Sequence, residues 1–254
     1  MALRVHQFPV LSDNYAFLVR DEATGRTAAV DTPDATAILG ELERLGWGLD
    51  LILNTHWHPD HAGGNAEVKA ATGCEIVGPP EVIRIAPLDR VVADGDVVEL
   101  GETRFAVIGC GGHTLEHVTY HDAADRVAFV GDTLFALGCG RVVEGDAAQM
   151  WASLQRLTKA IPDDTALYCA HEYTAANARF ALTVDDAPAL RARADAVFAA
   201  RERGEPTVPS LMGLEKATNP FLRAPALAPR IGKAGAPDHE AFGAVRAAKD
   251  VFKG

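Results

Sequence analysis

The segment NTHWHPDHAGG, residues 54–64, places four potential metal ligands within six positions: His56, His58, Asp60 and His61. Neutral imidazoles and carboxylates are suitable ligands for Zn, Fe and Mn. His56 and His58 point to the same side of an extended chain, because successive side chains alternate, so they can bind one ion together. Asp60 and His61 lie beyond a proline, where the chain turns, and can bind a second ion. Burying such groups without a metal would be costly, so the segment predicts a metal site.

Three further candidates each follow a glycine or a small residue at the end of a predicted strand: His113, Asp132 and His171. A carboxylate has two oxygens, so Asp132 can bridge two cations. The resulting assignment gives each ion three further ligands: His56, His58 and His113 for one, and Asp60, His61 and His171 for the other. A shared water still fits, as it does in catalytic metal sites. Two cations lower the pKa of a bound water to about 7 and polarise a carbonyl, so the set predicts hydrolysis without a Ser or Cys nucleophile.

Predicted strands place these ligands at the ends of rigid elements. The apolar run 51–55 predicts a buried strand that leads directly into His56. Strands predicted at 103–109, 126–132 and 165–171 precede or contain the three later ligands. A rigid scaffold can aim loops at strand ends, so we expect the ligands to converge on one rim of a sheet sandwich. Further strands are predicted at 3–8, 15–20, 27–31, 75–78, 96–100 and 117–121.

Helix signals divide the chain into two parts. In the first part, Asp34 and Gly46 bound a predicted helix over 34–46, and a second helix is predicted over 64–73. This part is β-rich with interspersed helices and shows no regular βαβ alternation. The later part is mostly helical, with a Pro- and Gly-rich stretch at 204–237, and we place a boundary near residue 172. Helices are predicted there and just before it at 146–160, 174–185, 188–203 and 238–252.

Composition defines the general class of protein. The chain has 254 residues, of which 48% are hydrophobic and 23% charged, as in globular proteins. No apolar run reaches the roughly 18 residues of a spanning helix, so we expect no membrane partner. The net charge of −11 argues against a nucleic-acid-binding surface. Residues 221–254 hold six bases and three acids, which could serve a small anionic ligand or form an ordinary solvated helix.

Expectations for localisation and assembly depend on signals that the sequence lacks. The first residues show no basic cluster followed by a long apolar run. The four cysteines are scattered without metal-type spacing. We therefore expect free thiols in a reducing cytoplasm. No coiled-coil pattern demands a second copy of the chain, so we expect a monomer.

The metal-ligand motifs resemble those of one superfamily. THWHPDHAGG followed in order by GGHT, VGDT and AHEY is similar to the metallo-β-lactamase superfamily, whose pattern T-H-x-H-x-D-H is matched at every fixed position. The resemblance covers about residues 1–172. It implies an α+β fold, a four-layer αββα sandwich, with a dinuclear metal site at one edge. Reaction type is fixed only loosely, because the superfamily hosts many chemistries.

Finer motifs resemble the glyoxalase II, or hydroxyacylglutathione hydrolase, branch. They include DNY at 13–15, LGCGR at 137–141, HEYT at 171–174, NPFLR at 219–223 and VRAAKDVFK at 245–253. This resemblance implies a catalytic domain over 1–172 and a helical C-terminal substrate-binding domain over 173–254. By motif match it assigns glutathione contacts to four residues: Arg141, Tyr173, Arg246 and Lys249. The chain departs from the branch at Val143, where several members carry a tyrosine that contacts the peptide, and at Arg141, where a lysine is usual.

The C-terminal helix independently supports an anion site. Phe242, Val245 and Lys249 fall on one stripe of the predicted helix 238–252, so Lys249 points with the apolar face toward the body. Arg246 lies beside it, and glutathione carries carboxylates that bases at a pocket edge would bind. The competing interpretation of Lys249 is a lysine whose stem merely covers apolar surface.

The resemblance implies hydrolysis of S-D-lactoylglutathione to D-lactate and glutathione, a step of methylglyoxal detoxification. Two divalent ions per chain are implied, with zinc first and iron or manganese as alternatives. Asp60 is expected both to bind metal and to orient the attacking hydroxide. Rival hypotheses are a mononuclear-iron persulfide dioxygenase, a lactonase or nuclease, and a non-catalytic metal-binding protein on the same fold. His61, His171 and the long helical tail favour the dinuclear hydrolase over the dioxygenase.

Overall fold

The computed structural model describes residues 3–254. The chain forms two compact units. Unit 1 comprises the chain up to Gly109 together with Glu116–Gly131. Unit 2 comprises Cys110–Leu115 and Asp132–Gly254.

Unit 1 is built from two β-sheets and a helical layer. Its elements are β1 (Leu3–Val10), β2 (Asn14–Asp21), β3 (Thr27–Val30), α1 (Ala35–Leu45), β4 (Leu51–Leu53), α2 (Pro59–Ala62), α3 (Asn65–Thr72), β5 (Glu75–Gly78), a 3-10 turn (Pro80–Arg84), β6 (Arg90–Val91), β7 (Val97–Leu100), β8 (Thr103–Gly109), β9 (Val118–Asp122) and β10 (Val127–Gly131).

The first sheet is mixed. Strands β1, β2 and β3 pair antiparallel, whereas β3, β4, β5 and β6 pair in parallel. Parallel neighbours need a crossover connection, and α1 and α3 supply the crossovers from β3 to β4 and from β4 to β5. As expected, this part as a whole shows no regular βαβ alternation, but β3, β4 and β5 form a local βαβ arrangement that the sequence did not predict. These strands are too short for their apolar runs to reveal the parallel pairing.

Helix α1 forms where the sequence predicts it. The Asp34 carboxylate accepts a hydrogen bond from the Ala37 amide at 2.9 Å, and Gly46 ends the helix with φ of 66°. The carboxylate satisfies an amide that has no partner within the helix, and only glycine adopts this terminal conformation without strain. Ile38 and Leu42 are buried against the mixed sheet. The local signals thus determine both ends of the helix.

The second sheet of unit 1 stacks on the first. Strands β7 to β10 pair antiparallel in chain order. The rings of Phe17 and Phe129 lie 5.5 Å apart between the sheets, and the Tyr120 hydroxyl donates to the Asn54 carbonyl at 2.8 Å. The strand ends then deliver two ligand segments, because β4 leads into His56 and β10 leads into Asp132.

Asp21 ties the end of β2 to the turn between β7 and β8. Its buried carboxylate accepts hydrogen bonds from the amides of Thr24, Glu102 and Thr103 at 2.7–2.9 Å. Burial alone raises the pKa of Asp21, but the hydrogen bonds from Thr24, Thr103 and Glu102 outweigh it and lower the pKa to about 2. The carboxylate therefore stays ionised, with its charge matched by oriented amides.

Unit 2 contains the later helices and short strands. Its elements are β11 (Leu134–Phe135), β12 (Gly138–Cys139), α4 (Ala147–Ala160), β13 (Ala166–Cys169), α5 (Thr174–Val184), α6 (Pro188–Glu202), β14 (Ser210–Leu211), α7 (Met212–Thr218), α8 (Ala224–Leu227) and α9 (Asp238–Val251). The predicted helices 146–160, 174–185, 188–203 and 238–252 are confirmed within two residues.

The Pro- and Gly-rich stretch 204–237 is more regular than its composition suggests. It contains β14, α7 and α8, which are short elements held by tertiary contacts. Met212 and Leu227 are buried there although the local sequence has little helical periodicity. Among the described residues, no helix has the length and apolar character that a membrane crossing requires.

The Asp21 contacts generate a stability prediction. Asp21→Asn should lower the free energy of unfolding by about 2–4 kcal/mol at pH 7, because an amide cannot accept all the amide hydrogens. The folded pKa lies below the unfolded one, so this stabilisation is complete above the unfolded pKa and is lost as the pH falls toward 2. Urea denaturation at several pH values measures the difference between wild type and variant.

Glu99→Gln is the control for this prediction. Glu99 forms an exposed ion pair with Arg104 at 2.9 Å, and such pairs contribute about 0–1 kcal/mol. An Asp21→Asn variant as stable as Glu99→Gln at pH 7 would contradict the structural role of Asp21.

Candidate metal centre

The first ligand segment leaves a buried strand and enters a short helix. After β4, Asn54, Thr55 and His56 are fully buried. Helix α2 begins immediately after His58 and carries Asp60 and His61, so the predicted turn after the proline is helical. A Cβ on Gly64 would lie 2.7 Å from the Thr32 carbonyl oxygen. The glycine therefore permits the close backbone approach that the sequence predicts.

The ligand atoms of this segment are spaced for metal ions. The Nε2 atom of His56 lies 3.1 Å from the Nδ1 atom of His58, and Nε2 of His61 lies 3.6 Å from an Asp60 carboxylate oxygen. Two ligand atoms that share the same tetrahedral zinc ion, each about 2.0–2.1 Å from it, lie about 3.3 Å from each other. The spacing of both pairs therefore fits a divalent metal.

Asp31 orients two of these imidazoles. One carboxylate oxygen accepts the Thr55 amide at 2.8 Å, and the other accepts the Thr55 hydroxyl and the His61 Nδ1–H, each at 2.8 Å. Because the Thr55 hydroxyl donates to Asp31, it accepts from Nδ1–H of His56 at 3.0 Å. Both rings then carry the proton on Nδ1 and present Nε2 to a metal, as in carboxylate–histidine–metal triads.

Asn14 orients the acidic ligand of the same segment. Its side-chain amide donates to the carboxylate of Asp60 and to the Asp60 carbonyl, each at 3.2 Å. The Asp60 side chain is thereby held at the start of α2. Asn14 belongs to the DNY motif that the sequence shares with the glyoxalase II branch, and this contact gives that motif a physical role.

In unit 2, one carboxylate lies between two imidazoles. One oxygen of Asp132 lies 3.5 Å from Nε2 of His113, and the other lies 3.4 Å from Nε2 of His171. All three side chains are at least nine-tenths buried. One oxygen for each histidine is the arrangement that a carboxylate bridging two cations requires.

The loops around Asp132 also fix the tautomer of its neighbour. Nδ1–H of His113 donates to the Arg141 carbonyl at 2.8 Å, so Nε2 is the nitrogen that faces Asp132. A Cβ on Gly140 would overlap the carbonyl oxygen of Asp132. The ring of His171 stacks on Tyr173 with centroids 4.7 Å apart and an interplanar angle of 2°. Packing and hydrogen bonding therefore preset this half of the ligand set.

The predicted glutathione contacts lie in unit 2 in different environments. Arg141 and Tyr173 are exposed. Arg246 is buried, donates to the Cys139 carbonyl at 2.9 Å and pairs with Asp250 at 2.9 Å. Its guanidinium is therefore already bonded to the protein.

Lys249 remains more accessible than Arg246. It is half-buried and donates to the Ala176 carbonyl at 3.1 Å, with its ammonium 5.5 Å from the centre of the Phe180 ring. This confirms that Lys249 points with the apolar face of its helix. Burial lowers the pKa of Lys249 to about 8, and three neighbouring cations add to the effect: Arg246, Arg179 and Arg141.

Sequence reasoning missed the roles of three residues at these sites, although Thr55 is part of the matched histidine motif. Asp31 and Thr55 support the imidazoles, and Arg179 adds charge near Lys249. A signal for Asp31 existed, because a carboxylate ends the predicted strand 27–31 as the proposed ligands end theirs. Arg179 lies in the predicted helix 174–185 with no motif to distinguish it from a solvated arginine. Its role depends on the contact between α5 and α9.

The cysteines do not offer an alternative nucleophile. All four are buried. Burial raises the pKa of Cys139 to about 11 and that of Cys169 to about 12. A thiol must lose its proton to attack, so these residues are inert near neutral pH.

Comparison with known proteins first defines the class. Residues 14–171 match the family model described as the metallo-beta-lactamase superfamily. A solved structure of ETHE1 from Myxococcus xanthus is similar, with a TM-score of 0.67 at 24% identity over 98% of this chain and 97% of that chain. The predicted α+β fold class, a metallo-β-lactamase sandwich with a C-terminal helical domain, is confirmed.

Full-length relatives then narrow the class to one family. Residues 172–252 match the model described as the hydroxyacylglutathione hydrolase C-terminus. The hydroxyacylglutathione hydrolase of Erythrobacter litoralis is 53% identical over 98% of this chain and 100% of its own length. That of Maricaulis maris is 52% identical over 98% and 99%. The chain belongs to the hydroxyacylglutathione hydrolase family.

The Asp31 network predicts a loss of metal affinity without loss of a ligand. Asp31→Asn should weaken zinc binding by about 10–100-fold, because the amide cannot hold both imidazoles in the required tautomer. Competition with a chromophoric chelator measures the change. Asp50→Asn is the control, since Asp50 is a strand-end carboxylate of the same unit that accepts the Thr27 amide at 2.8 Å. Equal zinc affinities in the two variants would contradict the orienting role.

Proposed function

We propose that this chain hydrolyses S-D-lactoylglutathione to D-lactate and glutathione, in methylglyoxal detoxification. Relatives that are 53% and 52% identical to it in sequence are named hydroxyacylglutathione hydrolases. The observation that carries the proposal is the placement of the Asp132 oxygens, one 3.5 Å from His113 and the other 3.4 Å from His171. This arrangement suits two cations with a carboxylate between them, which is the requirement of a hydrolytic dinuclear centre.

The proposed ligand set combines both segments of the chain. Two divalent ions, zinc in the first instance, would be held with Asp132 as the bridge. The remaining ligands are His56, His58 and His113 for one ion, and Asp60, His61 and His171 for the other. When bound, the ions would supply a hydroxide nucleophile near neutral pH and polarise the thioester carbonyl. Asp60, itself held by Asn14, would orient the nucleophile.

Glutathione would be positioned by the basic residues of unit 2. Lys249 and Arg141 offer cations to its carboxylates, and Tyr173 lies beside His171. Arg246 would contribute mainly by holding the Cys139 carbonyl, since its guanidinium is already paired with Asp250. Val143, 57% exposed, has no hydroxyl to replace the tyrosine of other members.

In the proposed reaction, water adds to the acyl carbon, the carbon–sulfur bond breaks, and the leaving thiolate takes up a proton.

The domain assignment is part of the same proposal. Residues 1–172 would form the catalytic domain and 173–254 the helical substrate-binding domain, and the two family models meet between residues 171 and 172. A glutathione thioester is the proposed partner. A cytoplasmic monomer that binds neither nucleic acid nor membrane fits the acidic composition and the sparse cysteines.

Hydrolysis of S-D-lactoylglutathione by purified protein tests the function. We expect fast turnover with about two metals per chain and loss of turnover after chelation. Metal counting on the same sample separates the two parts of the proposal. A chain with two bound metals and no turnover would overturn the substrate, and a single bound iron with oxygen uptake on glutathione persulfide would overturn the hydrolase.

Asp132→Ala is the matched variant in this assay. Removal of the bridge should abolish turnover and lower the metal content. Asp163→Ala removes a 72% exposed carboxylate of the same unit and should leave both unchanged. Normal turnover in Asp132→Ala would contradict the bridging role.

The lowered pKa of Lys249 predicts the pH dependence of substrate binding. The ammonium form is lost as pH rises through about 8, so KM should increase above that pH while the charged form holds the carboxylate below it. Lys249→Met should raise KM at pH 7 by about tenfold, equivalent to about 1.4 kcal/mol of binding. Steady-state kinetics from pH 6 to pH 10 measures both effects.

Lys249→Arg provides the control, because a guanidinium keeps its charge throughout this range. Its KM should stay constant above pH 8. A large fall in kcat with unchanged KM in Lys249→Met would contradict a positioning role.

A further inference from the structure

We propose that Glu215 and Asn219, at the C-terminal side of the chain, position the bridging carboxylate of Asp132. They act through the turn 135–138, which joins β11 and β12 and follows Asp132 in the sequence. The inference rests on the metal set of the proposed function. It gives the NPFLR motif, which begins at Asn219, a role that glutathione binding does not explain.

Asn219 binds the turn directly. Its side-chain amide is fully buried and donates to the carbonyls of Phe135 at 3.1 Å and Gly138 at 2.9 Å. Its oxygen accepts the Phe221 amide at 3.0 Å, which identifies the nitrogen as the end that faces the turn. The same nitrogen lies 3.0 Å from a Glu215 carboxylate oxygen. Asn219 therefore joins the turn to helix α7.

Glu215 binds the backbone amide of Leu137. Its Oε2 atom accepts the Leu137 amide at 2.9 Å, while Oε1 accepts hydrogen bonds from Arg193 and from the Ser210 hydroxyl. Glu215 is 1% exposed, and the Arg193 side chain is 8% exposed. Desolvation of the two charges offsets much of the attraction in a buried ion pair of this kind, so a gain in stability does not account for it. Its effect here is to hold the Glu215 carboxylate, and with it the Leu137 amide, in one position.

The turn itself has a conformation that needs such support. Leu137 has φ of 57°, which costs a residue with a Cβ roughly 1–2 kcal/mol. The Leu137 side chain is buried against α5 and α6. Asn177 donates to the Ala136 carbonyl at 3.1 Å and occupies the place that a Cβ on Gly138 would take. Side chains from α5, from α7 and from Asn219, which follows α7, thus bind every residue of the turn.

The turn is coupled to the metal ligands by direct backbone packing. The Gly140 amide donates to the Thr133 carbonyl at 3.3 Å, and Gly140 packs on the Asp132 carbonyl without room for a Cβ. The next carbonyl, that of Arg141, accepts Nδ1–H of His113 at 2.8 Å. A displaced turn would therefore move Asp132 and release His113 together. Metal affinity is the property that such a change alters most directly.

Titration of the metal-free chain with cobalt(II) tests this role. Asn219→Ala should weaken cobalt binding by about 10–100-fold, the usual effect of removing an orienting partner of a ligand. The visible absorption of the bound cobalt should also change, because the coordination geometry changes. Asn177→Ala, which removes one bond to the turn, should show a smaller effect in the same direction and serves if Asn219→Ala fails to fold.

Asp185→Asn is the matched control. Asp185 is a buried carboxylate of the same helical segment, bonded to Arg223 and to the Ala187 amide. It should lower the thermal midpoint of the metal-free chain as the turn variants do, while cobalt affinity and spectrum remain those of wild type. Wild-type cobalt binding in both Asn219→Ala and Asn177→Ala would overturn the inference.

The outcome is distinct from that of the thioester assay. A wild-type chain that binds two cobalt ions but cleaves no thioester removes the proposed substrate, and weaker cobalt binding in Asn219→Ala still supports the positioning role. A wild-type chain that binds no cobalt overturns both the metal set and the inference.

Discussion

The carboxylate of Asp31 accepts three hydrogen bonds, and the ligand geometry of unit 1 depends on it. Two of those bonds come from Thr55 and one from His61, so a single anion fixes the backbone after β4 and the tautomers of His56 and His61. The Nε2 atoms of His56 and His61 lie 3.1 and 3.6 Å from other candidate ligand atoms. Without a cation between them, such close lone pairs are unfavourable in a buried site. The two imidazoles stay in place because their outer nitrogens are already bound. A cation then finds a site that needs little reorganisation.

The second half of the ligand set is held in a different way. Asp132 and His113 lie on loops, and their positions depend on a turn whose backbone groups are bound by side chains from later helices. Those side chains are about 80 residues away in sequence, for example Asn219 from Phe135. The C-terminal segment therefore also supports the turn beside the candidate ligands. It supplies the hydrogen bonds that a short two-residue strand such as β11 cannot supply for itself.

Local sequence patterns predicted what local forces determine. The histidine segment, the strands that lead into it and the capped helix α1 were all predicted because spacing and caps act within a few residues. Elements β11, β12, β14, α7 and α8 were not, since they are too short to have a period and form through distant contacts. The same distinction holds at the site. The candidate ligands are visible as motifs. Asp31 ends a predicted strand as they do, but its bonds to Thr55 and His61 become evident only in the structure. Glu215 has no local signal at all, and its role depends on a contact with a turn 78 residues away.

Motif matching also assigned one role to two residues that the environment separates. Arg246 and Lys249 belong to the same C-terminal motif, yet Arg246 is buried and bonded to Cys139 and Asp250, while the Lys249 ammonium lies over the faces of two aromatic rings. Burial and the nearby arginines destabilise the charged form of Lys249. An arriving carboxylate would relieve that cost, whereas it would gain less from Arg246, whose charge is already neutralised. In the proposed function, binding energy for an anionic substrate would therefore concentrate at Lys249, whereas Arg246 holds the Cys139 carbonyl beside it.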